Sequence, residues 1–188
     1  LIAPTNLVAT AISTSQVGLT WDAVTPATGY RVFRSANDGP YGLVGSPLTT
    51  SLTDTGLASN TTYLYQVRAV DAANTVGPAG NVDLATTILF TDDPVVAGST
   101  VIQAVHWTQL RTAVNAVRAA AGLVAATFTN PVAPGVTIKV VDLLELRSKL
   151  DGARSFLGLP AMAYTDPALA SGDTIKAAHI QEVRSGVK

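Results

Sequence analysis

The chain has 188 residues, enough for one large or two small domains, each with its own core. Its 12 Lys and Arg balance 13 Asp and Glu to a net charge of −1, which excludes strong electrostatic attraction to nucleic acid or to an anionic membrane. Charged residues make up 13% of the chain, against roughly 25% in an ordinary soluble domain, and mean hydropathy is +0.32. The surface is therefore built mainly from Ser, Thr, Asn and Gly, or part of it is covered by other copies or partners.

Cysteine is absent, so there is no disulfide framework, thiolate metal site or cysteine nucleophile. No apolar run reaches the roughly 18 residues of a membrane span; the longest candidate, Ala119 to Phe128, is far shorter. Leu1 follows no leader pattern and reads as a processed or trimmed start.

Residues 1–87 carry strand signals. Val17, Leu19 and Trp21 alternate with Gly18, Thr20 and Asp22, the period of a half-buried strand. Tyr30 and Val32 repeat the alternation after the turn Thr25-Pro-Ala-Thr-Gly29, and Tyr63, Tyr65, Val67 and Ala69 repeat it over a longer run. Several short strands within 90 residues, separated by turn formers such as Asn37-Asp-Gly-Pro40, predict an all-β sandwich of two sheets.

Pro4 before the first strand, Trp21, Tyr30, and Leu57 followed six positions later by Tyr63 resemble a fibronectin type III domain over residues 3–87. The resemblance implies an immunoglobulin-like fold in which Trp21, Tyr30 and Leu57 are core residues. It also makes Tyr63 the tyrosine that ties down the corner before the long central strand. These are structural roles, and the fold most often serves as a spacer or binding module. The cell-attachment tripeptide Arg-Gly-Asp is missing. Asn60-Thr-Thr62 matches the N-glycosylation pattern, so Asn60 is a candidate acceptor, with a polar turn as the plainer reading.

Residues 88–188 contain one stretch three times: Ile102 to Arg111, Ile138 to Arg147 and Ile175 to Arg184, the leading isoleucines lying 36 and 37 residues apart. Each copy is introduced by an aromatic, a Thr, an Asp or Asn and a Pro, beginning at Phe90, Phe128 and Tyr164. Mainly apolar faces at steps of three and four predict helices: Ile102, His106, Leu110, Ala113 and Val117 share one face in the first copy, and Leu143, Leu146, Leu150, Ala153 and Leu157 one in the second. Gly122 and Gly158 are placed to close them, and Thr100 and Thr174 to cap the starts. The expected second domain is a small all-α helical-repeat unit of three copies, 90–123, 128–160 and 164–188, the last about two turns short. These copies resemble short repeats, with a core like Ile-Lys-Ala-x-His-x-x-Glu-Leu-Arg, found toward the C-terminal ends of secreted bacterial multidomain proteins. That resemblance implies an extracellular setting and no catalytic role.

The sharpest chemical constellation is His106, Asp142 and His179, at one position in the three copies. Two His and a carboxylate suit non-haem iron, but equivalent places in stacked repeats usually lie roughly 8–10 Å apart. Polar anchors near the helix starts are the preferred reading, with Arg111, Arg147 and Arg184 pairing with Asp92, Asp93, Asp166 or helix carboxylates. The chain lacks a nucleophile elbow, a phosphate loop and a dinucleotide fingerprint, and its two glutamates, Glu145 and Glu182, occupy equivalent repeat positions. No catalytic residue, metal or cofactor is expected.

These features predict an extracellular or cell-surface bacterial structural or interaction protein that self-associates as the subunit of a surface appendage or filament. Its partners would be other copies of itself, and surface glycans are a further candidate. The truncated third repeat would leave an open end, with Val183 and Val187 there and Trp107 as interface candidates. The alternative is a carbohydrate-binding or spacer region of a larger secreted polysaccharide-active protein, in which an exposed aromatic such as Tyr41 or Phe33 contacts the glycan.

Overall fold

In a computed structural model that describes residues 1–188, the alternating stretches around Val17, Tyr30 and Tyr63 are strands. The strands are β1 (Val8–Ser13), β2 (Gln16–Thr20), β3 (Gly29–Ala36), β4 (Gly42–Gly45), β5 (Ser51–Thr55), β6 (Thr62–Val70), β7 (Val76–Ala79) and β8 (Asp83–Thr86). They pair antiparallel into one sheet of order β1-β2-β5 and another of order β4-β3-β6-β7, in which β8 also pairs with β6. The last strand is thus in two pieces. At the break, Gly80 passes so close to Pro4 that a Cβ would lie 2.2 Å from the Pro4 carbonyl oxygen, which only glycine permits. Asn81 then exchanges two hydrogen bonds with the backbone of Leu7, and Asp83 accepts the Ala9 N–H, so side chains join the edge of β1 to the second sheet.

The facing sheets enclose one core built from Leu7, Val17, Leu19, Trp21, Tyr30, Val32, Leu57, Tyr63, Tyr65 and Val67 with smaller residues between them. Trp21 meets Tyr30 edge to face at 5.4 Å, a geometry worth about 0.5–1.5 kcal/mol beyond area burial. The Tyr63 hydroxyl accepts the Ala58 N–H at 2.9 Å and fixes the corner, and the Tyr30 hydroxyl accepts that of Val24 at 3.0 Å. One ion pair enters this core: Arg34 donates to both oxygens of Asp54, which also accepts from Tyr65. Burial, and then Asp54, push the Tyr65 phenol far above its ordinary value.

Two units are distinct, Leu1–Ile88 together with Lys188, and Leu89–Val187. The second contains α1 (Ala104–Ala120), α2 (Val140–Phe156) and α3 (Ala177–Ser185). Gly122 and Gly158, both at φ +68°, end the first two helices. After each glycine the next N–H reaches back to the helix, Leu123 to the Arg118 carbonyl and Leu159 to that of Arg154. The starts differ from the sequence expectation. The residues at the caps are Gln103, Lys139 and Lys176, and neither Thr100 nor Thr174 caps a helix. Thr100 instead accepts the Val96 N–H inside the preceding segment. The chain enters each helix extended, and the side chain at the third helical position turns back to bond the cap backbone, so no short hydroxyl is needed.

Candidate functional site

The buried polar side chains His106, Asp142, Arg147, His179 and Arg184 lie in the helical unit, where they hold the irregular segments that lead from the opening aromatic of each copy to its helix, the leads. In each copy the third helical residue is buried and accepts the N–H of the residue at the cap. His106 Nδ1 takes that of Gln103 at 3.1 Å, Asp142 Oδ2 that of Lys139 at 2.8 Å, and His179 Nδ1 that of Lys176 at 3.2 Å. The remaining polar atom of each reaches its own lead. His106 Nε2 lies 3.1 Å from Asp92, Asn130 donates to Asp142 at 3.1 Å, and His179 Nε2 lies 3.2 Å from Asp166. The pairing is complementary. Where the helix offers an imidazole N–H the lead offers a carboxylate, and where the helix offers a carboxylate the lead offers an amide N–H. His106, Asp142 and His179 therefore each hold the lead of their own copy, and no three His, Asp or Glu side chains are grouped where they could hold a metal ion.

The arginines join the copies. Arg111 lies over the ring of Phe128 at 4.5 Å, Arg147 over Tyr164 at 4.4 Å, and Arg184 over Phe90 at 4.8 Å. Each stacks on the aromatic that opens the next copy, and the third reaches back to the first, so the three copies close into a ring. Arg147 also donates to the carbonyls of Asp166 and Thr165 and to Glu182. Arg184 donates to the carbonyls of Asp92 at 2.7 Å and Thr91 at 2.8 Å, with Asp93 3.7 Å away. Burial lowers the proton affinity of Arg184, and Asp93 and Asp92 oppose that shift. Arg111 is less engaged: beyond the ring it approaches only Asp142, at 3.5 Å.

Ring closure corrects the expectation of an open end. Val183 and Val187 are fully buried and Trp107 is 1% exposed, so all three interface candidates are packed inside the unit. The short α3 is long enough to close it, because Arg184 and Gln181 fall within it. Gln181 accepts the Val95 N–H and donates to Asp93. The leading isoleucines have a different place. Ile102, Ile138 and Ile175 line one apolar cleft of about 560 Å³, with Trp107, Val141 and Ile180 among its other walls.

Sequence reasoning missed Asn130 as the counterpart of Asp92 and Asp166. It also missed the residue seven after each leading isoleucine, Gln109, Glu145 or Glu182, whose side chain takes the N–H of Thr91, Thr129 or Thr165 in its own lead. The signal was present as Gln or Glu at one position of all three copies. In the sandwich, Asn60 lies in a left-handed turn at φ 54°. The hydroxyl of Thr62, which the acceptor pattern requires, is buried against Thr86 at 2.7 Å. Tyr41 is 38% exposed, whereas Phe33 is half-buried with the Arg68 guanidinium 5.9 Å above its ring.

Comparison with known proteins bears on the first unit. The family described as "Fibronectin type III domain" matches residues 2–82. A poly(3-hydroxybutyrate) depolymerase of Ralstonia pickettii is 41% identical over 90 residues, which is 47% of this chain and 17% of the relative. Exoglucanase B of Cellulomonas fimi is 43% identical over 76 residues, 39% of this chain and 6% of the relative. A solved Fn3-like protein from Clostridium thermocellum is 34% identical with a TM-score of 0.40, over 43% of this chain and 86% of that one. The chain thus spans less than a fifth of the length of either enzyme. No helix is long and apolar enough to cross a membrane. The first unit of this chain is a fibronectin type III domain.

Proposed function

We propose that this chain is a non-catalytic accessory region of a secreted, polymer-degrading enzyme, in which the fibronectin type III domain acts as a spacer. One observation carries the reading: similar stretches of about 80–90 residues recur in enzymes named for a polyester and for a glucan. Those polymers share no recognition chemistry, so a part common to both is suited to holding other domains rather than to reading the polymer. The aromatic geometry agrees, since a flat platform for sugar rings needs open faces and Arg68 lies over that of Phe33.

The test measures light scattering of the chain and its depletion from solution by cellulose, chitin and poly(3-hydroxybutyrate) granules. A monomer of 19.3 kDa with no saturable retention on any of the three is expected. Saturable retention on one polymer that is lost in Tyr41→Ala would replace the spacer with a binding module. Long regular polymers of the chain would restore self-assembly.

A further inference from the structure

Two of the three copies hold their leads with a titratable ring and one does not. His106 and His179 are fully buried, and each accepts a backbone N–H at Nδ1. A nitrogen that accepts carries no proton, so the neutral ring bears its hydrogen on Nε2 and donates it to Asp92 or Asp166. Both nitrogens are committed. A second proton, arriving at Nδ1, would face the N–H of Gln103 or Lys176, and two donors cannot bond each other. In the middle copy Asp142 and Asn130 do the same work without an imidazole.

The residues each histidine holds are also those gripped by the neighbouring copy. Arg184 of the third copy donates to the Asp92 carbonyl, and Arg147 of the second to the Asp166 carbonyl. Cap, lead and clamp are therefore connected in series. The charged groups around His106 are Asp92 from its lead and Arg184 with Asp93 at the clamp. Around His179 they are Asp166, Lys176, and Arg147 with Glu182. Hydrogen bonds from Lys176 and then His179 hold the Asp166 carboxylate below its ordinary range.

We propose that the first and third copies form an acid-sensitive latch. Protonation of His106 and His179 releases the joints from copy three to copy one and from copy two to copy three. The joint between copies one and two, built on Asn130, Asp142 and Arg111, persists. The short helix α3 takes part in both released joints and is the element set free.

The test follows amide protection factors of the full chain between pH 7.5 and 5.0, together with the histidine ring signals by NMR. Protection of α3 should fall at least tenfold on acidification, while that of the middle of α2 changes less than twofold. At pH 7.5 both rings should show the Nε2–H tautomer. A second chain carries the middle copy's chemistry in the other two, through Asp92→Asn with His106→Asp and Asp166→Asn with His179→Asp. It should keep α3 protected down to pH 5.0. An Nδ1–H tautomer, an unchanged α3, or equal opening of the exchanged chain would each overturn the latch. If the exchanged chain does not fold, the wild type decides alone: ring signals and α3 protection must titrate together, and separate titrations overturn it.

Discussion

The two units of this chain satisfy their buried backbone in opposite ways. In the sandwich, ladders of paired strands bond the backbone, and the core is left mainly to Leu, Val, Trp and Tyr with the ion pair of Arg34 and Asp54 at its edge. In the helical unit the leads have no ladder, and side chains take its place: His106, Asp142, Arg147, His179 and Arg184 are all buried, each bonded to backbone. A backbone polar group withdrawn from water needs a partner. The difference shows that irregular chain can be held in place without a ladder when a repeat supplies that partner three times.

The largest expected effect breaks the helical side of this contrast alone. Arg184→Ala removes a fully buried guanidinium, leaves the carbonyls of Thr91 and Asp92 without their donor, and uncovers the ring of Phe90. Loss of one partner of a buried charged contact costs about 3–5 kcal/mol. Amide exchange resolved by mass spectrometry should show Leu89–Val187 opening far more often while Leu1–Ile88 is unchanged. Arg184→Lys should recover little, since a single ammonium cannot bridge two carbonyls and lie flat on a ring. Arg111→Ala should cost less, because Arg111 has only its aromatic ring and a 3.5 Å approach to Asp142 to lose.

A smaller change probes the sandwich. Tyr63→Phe deletes the hydroxyl that accepts the Ala58 N–H and leaves the ring in place. About 1 kcal/mol should be lost, visible as a lower denaturation midpoint of the sandwich with an unchanged slope. A loss confined to the helical unit would show that the corner is not what Tyr63 secures.

The sandwich was legible in the sequence because each of its signals is local. Trp21, Tyr30, Leu57 and Tyr63 take their places from alternation and from a corner six residues long, and all four are buried. The helices were legible for the same reason, through steps of three and four. The ring was not, because closure is a relation between copies. Each arginine stands nine residues after a leading isoleucine and an aromatic opens each copy, yet nothing within one copy says whose ring a given arginine covers. The short third copy was misleading in a definite way. Helix length suggested an open end, whereas closure needs only Gln181 and Arg184, both inside the nine residues of α3. The caps were hidden by chemistry: a search for Ser, Thr, Asp or Asn at the helix start passes over a histidine at the third position whose Nδ1 does the capping.

The smallest expected effects place one substitution at two points of α2 and its exit, where its sign should reverse. Neither Gly152 nor Gly158 has any atom within 4 Å of an added Cβ, so packing is not at issue at either. Gly152 lies inside the helix, where glycine's freedom in the unfolded chain is a liability, and Gly152→Ala should stabilise the unit by about 0.5–1 kcal/mol. Gly158 sits at φ +68°, a left-handed conformation that costs an L residue about 1–2 kcal/mol, so Gly158→Ala should destabilise by about that much. Denaturation midpoints of the two variants should fall on opposite sides of the parent. Matching shifts would mean that the helix end relaxes to a right-handed exit, and the Leu159 N–H bond to the Arg154 carbonyl would then be lost with it.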